Sequence, residues 1–306
     1  MVVLRFGGDC LLAEHYERDT GDDPHRAFKN FDLFRTADIA MVNLECPVTQ
    51  RGTRQEKPFT FRMHSRYLPT IAEAGIDVVN IANNHIFDFG AVGLFDTIHL
   101  LDSAGLAHVG AGKNLDEAYE PVILQVRGKR IGFLGYYGGG ESPVATEKRP
   151  GVARRALDRM VEDIDVLKNQ GTCDAVIVNL HWGTEKSIVP ELDQVEQAHR
   201  LVDAGADVIV GHHPHVWQAV EHYKSGVIAY SLGNLVFGGN SRSTYDTAIL
   251  EIRLGLPEIL HRVIPVRIDS WNARALTGEE AAMFIHNVSR LPIPTIHDRT
   301  EKESTR

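Results

Sequence analysis

Residues 206–217 read ADVIVGHHPHVW, an apolar run that delivers three imidazoles in four positions: His212, His213 and His215. Other apolar runs end in the same kind of chemistry. VVLRFGGD closes on Asp9, and ADIAMVNLE closes on Asn43 and Glu45. IDVVNIANNH leads to Asn83, Asn84, His85 and, three residues on, Asp88. CDAVIVNLH closes on His181, with Glu185 just beyond. A set that mixes imidazole with carboxylate oxygen suits zinc, manganese or iron better than a thiolate site would. Each residue alone has a bland reading. Asp9 after two glycines makes a turn, Glu45 before Pro47 is a surface acid, and Asn83 and Asn84 are common turn residues. The weight lies in five strand ends carrying ligand types together.

In a strand, residues two apart share a face. If strand geometry continues through Pro214, His213 and His215 form a pair and His212 points away, toward packing. His99 and His199 fall inside amphipathic helices and read as structural. Cys10 and Cys46 each follow an acidic candidate and read as small packing residues.

These residues need a scaffold that gathers strand ends. The chain supplies one grammar repeatedly: helix, glycine stop, apolar strand, polar burst. YLPTIAEAG, VGLFDTIHLLDSAG, RALDRMVEDIDVLKNQG and ELDQVEQAHRLVDAG are helices stopped at Gly75, Gly105, Gly171 and Gly205. A glycine just past a helix end takes positive φ at little cost. Continuous apolar strands between helices suit a sheet buried on both faces, and ligands in such folds bind beyond the carboxyl ends of the strands. The rest reads as hairpins, with YEPVILQVRGKRIGFLGYY turning at Gly128 and further antiparallel strands in GVIAYSLGNLVF, TAILEIRL and EILHRVIPVRID. Thr277 to Glu280 fits a capping box that opens a last helix. The expected organisation is a single domain over 1–292 and a polar, disordered tail over 293–306. Residues 138–151 are the candidate mobile loop.

Composition narrows the function. A net charge of -9 over 306 residues argues against gripping nucleic acid by bulk charge. An anionic substrate would then need local positive charge, which bound cations provide. Three cysteines give no disulfide framework. No apolar run reaches the ~20 residues of a membrane span, and no signal peptide is seen, so a cytoplasmic protein is expected.

Taken together, GD at 8–9, NLE at 43–45, KPFTFR at 57–62, NNHIFDFG at 83–90, HWGTE at 181–185, GHHPHV at 211–216 and YSLGN at 230–234 resemble the capsule-synthesis CapA (poly-γ-glutamate capsule protein) family. Its members are similar to calcineurin-like metallophosphoesterases. The resemblance implies a metallo-dependent phosphatase-like fold, a four-layer α/β/β/α sandwich with two divalent metal ions (Mn, Zn or Fe) at one edge. By motif it implies Asp9, Glu45, Asn84, His181, His213 and His215 as ligands, with Glu45 at the bridging position. His85 then matches the histidine that contacts the phosphate and protonates the leaving group. The usual Asp-x-His of phosphoesterases is here Asp9-Cys10-Leu11, and a glutamate replaces the second aspartate. Members are often membrane-anchored.

Two divalent ions about 3.5–4 Å apart can clamp a phosphoryl group and lower the pKa of bound water to about 7. His85 would be general acid and Asp88 would orient it. Glu185 would hold a ligand histidine, and Arg62 and Asn234 would contact substrate. Three functions remain open at this point. The first is a metal-dependent phosphoesterase acting on a small phosphorylated substrate. The second is a part in poly-γ-glutamate or related capsule polymer synthesis or export, handling an anionic polymer. The third is a non-catalytic binding protein.

Overall fold

The computed structural model describes residues 1–21, 23–255 and 258–296. Two large sheets face each other. The first has the spatial order Asn272–Ala275, Ile259–Asp269, Tyr245–Leu254, Val2–Leu11, Ile39–Leu44, Val78–Asn80, Ala107–Val109, with Asn234–Phe237 beside the end of Val2–Leu11. The second has the order Val220–Tyr223, Gly226–Ala229, Val208–His212, Ala175–His181, Lys129–Tyr137, Val122–Val126.

Period-two alternation explains the layers. Along Ile39–Leu44, Ile39 and Met41 join an inner cluster with Phe133, Ile177 and Val208 of the opposite sheet. Ala40, Val42 and Leu44 join an outer cluster with Ile71 of the helix Leu68–Glu73 and with Leu94 and Leu101 of the helix Gly90–Ala104. On the far side, Met160 and Ile164 of the helix Leu157–Lys168 and Val195 and Leu201 of the helix Leu192–Asp203 cover Val176, Val178 and Ile209. A strand buried on both faces reads as an unbroken apolar run. The result is a helix–sheet–sheet–helix sandwich, the four-layer order that the resemblance implies.

Several local expectations give way. Gly226–Ala229 makes the expected antiparallel hairpin with Val220–Tyr223 and also pairs parallel with Val208–His212, whereas Asn234–Phe237 runs parallel to Val2–Leu11 and makes no hairpin. Residues 230–233 instead carry the chain from one sheet to the other. Thr277 is the N-cap of the helix Gly278–Val288, but its side chain makes no cap hydrogen bond. Gly278 at φ 60 turns the first residue of that helix out of helical geometry. The capping box forms at Glu191 and Gln194. In the tail, Ile293 packs partly buried against the outer helices, and 297–306 lie outside the described residues. Within the loop 138–151, Ser142 is buried and donates to the Asn83 carbonyl at 2.8 Å. Among the described residues, no helix is long and apolar enough to cross a membrane.

What positions the site is a fork in the first strand. Val2 to Phe6 pair antiparallel with Leu254 to Leu250. At Asp9 the partner becomes Asn234, and the register to Ile39–Leu44 shifts between Phe6 and Asp9. Gly8 permits the switch, because a Cβ there would lie 1.9 Å from the Gly233 carbonyl oxygen. Asp9 N–H donates to that same oxygen at 2.8 Å.

Candidate metal centre

The carboxyl ends of the parallel strands converge. Asp9 stands opposite Asn43 in the first sheet, and His212 stands opposite His181 in the second. Asp9, Glu45 and His181 are completely buried. Two triads form. Asp9, Glu45 and His215 bring one ligand atom each within 4.8 Å of one another, and so do Glu45, His181 and His213. Glu45 belongs to both. Its Oε1 lies 3.6 Å from His181 Nε2 and 3.7 Å from His215 Nε2. A third group joins the exposed Glu185 to His213 and His215. Asn84 Oδ1 lies 2.9 Å from His181 Nε2.

The donor set can be tested for fit. Glu45 Oε1 and His213 Nδ1 are buried without a hydrogen-bond partner. Such orphaned groups cost about 1–3 kcal/mol each. A divalent cation among them would satisfy both, and imidazole with carboxylate is a donor set such ions accept. The residues present therefore fit divalent metal, with Glu45 common to both triads.

The electrostatics agree. Burial and the adjacent Asp9 charge push the Glu45 carboxyl well above the usual carboxylate range. Burial would also raise Asp9, but the imidazoles of His212 and His215 outweigh it and hold Asp9 well below that range. Burial, then the neighbouring His213, depresses His181; burial, then His215, depresses His213. These rings stay neutral and keep lone pairs for a cation. Burial pushes the Cys10 thiol up to about 12, with Asp9 adding to it, so Cys10 is no thiolate.

The strand argument for the histidines fails in its premise. The strand ends at His212. His213 has φ 97 and His215 has φ 58, both in the left-handed region. Pro214, between them, has no N–H to continue a ladder. A tight turn, rather than alternation, brings both rings to the carboxylates. His212 is 1% exposed, with Nδ1 3.6 Å from Asp9 Oδ1 and neither ring nitrogen hydrogen-bonded. It belongs to neither triad.

A second constellation borders the first. His85 Nδ1 lies 2.8 Å from Asp88 Oδ2, which also accepts the Phe61 N–H at 2.6 Å. Lys57 Nζ reaches Asp88 Oδ1 at 2.6 Å, the Asn84 carbonyl at 2.6 Å and Glu141 Oε2 at 3.1 Å. Asn83 Oδ1 accepts the N–H groups of His85 and Ile86, which fixes the turn that presents His85.

The two residues assigned to substrate contact have these neighbours. Arg62 is exposed, with its guanidinium 4.7 Å from the Phe89 ring. Asn234 Oδ1 lies 2.8 Å from His215 Nδ1, so it orients that ring. Sequence reasoning quoted Lys57 within KPFTFR and Asn43 at a strand end without giving either a specific role, and missed Asn80. Asn43 Nδ2 donates to Asp9 Oδ1 at 2.8 Å and to Glu45 Oε2 at 3.3 Å, and Asn80 Nδ2 donates to Asn43 Oδ1 at 2.9 Å. The only signal was polarity inside apolar strands, at residues 43 and 80.

Comparison with known proteins adds independent findings. A family model described as "Bacterial capsule synthesis protein PGA_cap" matches residues 3–239. The capsule biosynthesis protein CapA of Bacillus anthracis is 35% identical over 289 residues, covering 90% of this chain and 70% of that protein. The PGA biosynthesis protein CapA of Bacillus subtilis is 33% identical over 255 residues, covering 81% and 67%. Among solved structures, a 5′-nucleotidase precursor from Thermus thermophilus is similar with a TM-score of 0.54 at 16% identity. The match covers 94% of this chain and 57% of the nucleotidase, so the chain spans a little over half of that protein and shares its fold.

Proposed function

The chain belongs to the PGA_cap family of bacterial capsule synthesis proteins, and from that premise we propose that it is a metal-dependent phosphoesterase acting on a small phosphorylated substrate. One observation carries the reading: Glu45 Oε1, buried and without a hydrogen bond, lies between the imidazoles of His181 and His215. Asp9, Glu45 and His215 would hold one divalent ion, and Glu45, His181 and His213, with Asn84, the other. When bound, such ions supply Lewis-acid charge to phosphoryl oxygens and lower the pKa of water.

The other roles fall to the chain itself. Asp88 accepts from His85 Nδ1 and would balance the charge of the imidazolium, which would give its Nε2 proton to the departing oxygen and return to the neutral ring. Lys57 holds Asp88 from its other oxygen and ties it to the Asn84 backbone. Asn43 bridges Asp9 and Glu45 and keeps the two carboxylates apart by a fixed amide. Asn234 fixes the His215 ring through Nδ1, so that Nε2 faces Glu45.

The test is a panel of phosphate monoesters and diesters with manganese added. Hydrolysis of at least one class is expected, with turnover lost in His85→Asn while metal is retained. No hydrolysis by protein shown to carry metal would sink the reading.

A second reading, a part in capsule polymer synthesis, is favoured by the names of the relatives, capsule biosynthesis and PGA biosynthesis. There the same centre would act on a phosphorylated intermediate of that polymer. Turnover that requires the polymer or its synthetic partners, with none on simple esters, would select it.

A further inference from the structure

A cleft of about 510 Å³ opens beside the centre, with His215 and Asn234 in the wall the two share. Lys186 and Arg242 line the cleft, and Trp217 and Phe284 make an apolar side. We propose that this cleft binds a second anionic group of the substrate, a carboxylate or a phosphate carried on the part of the ester remote from the reacting phosphorus. The inference rests on the reading above, in that the reacting phosphate is taken to sit at the Glu45 centre.

Charge is the main argument. Lys186 and Arg242 are exposed, and neither side chain has an ion pair among the described residues. The one carboxylate in the cleft, Asp246, is already neutralised by Arg267, whose Nε and second terminal nitrogen hold it at 2.6 and 2.9 Å. The cleft therefore keeps two uncompensated cations in a chain of net charge -9. A local reversal of sign of this kind concentrates anions against the field of the whole molecule.

Two further features belong to the cleft wall. Trp217 is 8% exposed, and its indole Nε1 has no hydrogen-bond partner. Lys186 has φ 63, and its N–H donates to the Pro214 carbonyl at 2.8 Å. That conformation is uncommon for a non-glycine residue. Here it fixes the lysine to the turn that presents His213 and His215. The Trp217 and Phe284 rings, 6.3 Å apart, give an apolar surface for the spacer between the two anions.

Binding tests this without relying on turnover. Phenylphosphonate, 4-carboxyphenylphosphonate and 1,4-phenylenebisphosphonate are titrated calorimetrically into the manganese-loaded protein. The two doubly charged probes are expected to bind roughly tenfold more tightly than phenylphosphonate, the scale of a charge-assisted contact. Which of the two gains more tells carboxylate from phosphate. The double variant Lys186→Met/Arg242→Met is expected to bind all three equally. Equal affinities in the unaltered protein, a preference that survives the double variant, or no binding by any probe would each overturn the proposal. Because the probes cannot be hydrolysed, a binding preference with no turnover on the ester panel would reject the phosphoesterase reading alone.

Discussion

His85 Nδ1 and Asp88 Oδ2 lie 2.8 Å apart across a single turn, and the carboxylate is completely buried. A buried acceptor on one ring nitrogen fixes both the tautomer and the orientation of the other. Asp88→Asn is therefore expected to lower kcat on an aryl phosphate by about 10²-fold or more, with metal content unchanged. Metal loss in that variant would show that Asp88 supports the ligands instead.

Lys57 supports the same carboxylate from its far oxygen. Lys57→Met leaves that oxygen buried beside no cation, a loss of about 3–5 kcal/mol for a broken buried pair. The expected result is a lower melting temperature and a lower kcat together, with Lys57→Arg recovering much of both. A kcat indifferent to either change would separate the lysine from the chemistry.

Glu45 is common to both triads, whereas His181 and His213 serve one. Elemental analysis should therefore find about two metals per chain in the unaltered protein. Glu45→Ala should lose both, and His181→Ala chiefly one. Equal losses in the two variants would contradict a shared carboxylate.

The three clustered histidines should separate in the same assay. His213→Ala and His215→Ala are expected to strip metal, and His212→Ala to retain it. The cost of His212→Ala should instead be stability, about 1–3 kcal/mol for a buried side chain removed from a packed wall.

The metal-stripped protein should lose stability as pH falls below about 6.5, the ordinary histidine pKa. His181 and His213 are depressed by burial, so the unfolded chain takes up two protons that the folded chain refuses. Glu45, raised by burial, works the other way and keeps one proton in the folded state. Burial depresses His108 and His261 in the same way, so the unfolded state binds more protons and stability falls on acidification. Thermal melts at pH 7.5 and 5.5 check the sign, and a rise on acidification would refute it.

Much of the architecture was legible because burial on both faces leaves apolar runs, and helix ends leave glycines. Val2–Leu11, Ala175–His181 and Val208–His212 lie where their runs place them. Strand direction was not legible, since a period of two is the same forward and backward. Asn234–Phe237 read as a hairpin strand and turned out parallel, in a different sheet from Gly226–Ala229, which does form a hairpin with Val220–Tyr223. In the site, residues that end strands stood out. Lys57 did not, because its partners lie 27 and 84 residues away and no local pattern records such a contact. The turn at His213 and His215 escaped for a related reason: positive φ is written in the sequence only when glycine carries it.

The fork in the first strand bears on how the chain can be divided. The family match ends at residue 239, and every proposed ligand lies before it. Yet Val2 to Phe6 take their antiparallel partner from Leu250 to Leu254, beyond that limit. A fragment ending at 239 would keep the complete ligand set and bare a row of unpaired backbone groups along its first strand. Such an edge is a template for self-association, so the fragment would aggregate before its chemistry could be measured. The C-terminal strands act as a built-in guard against that fate.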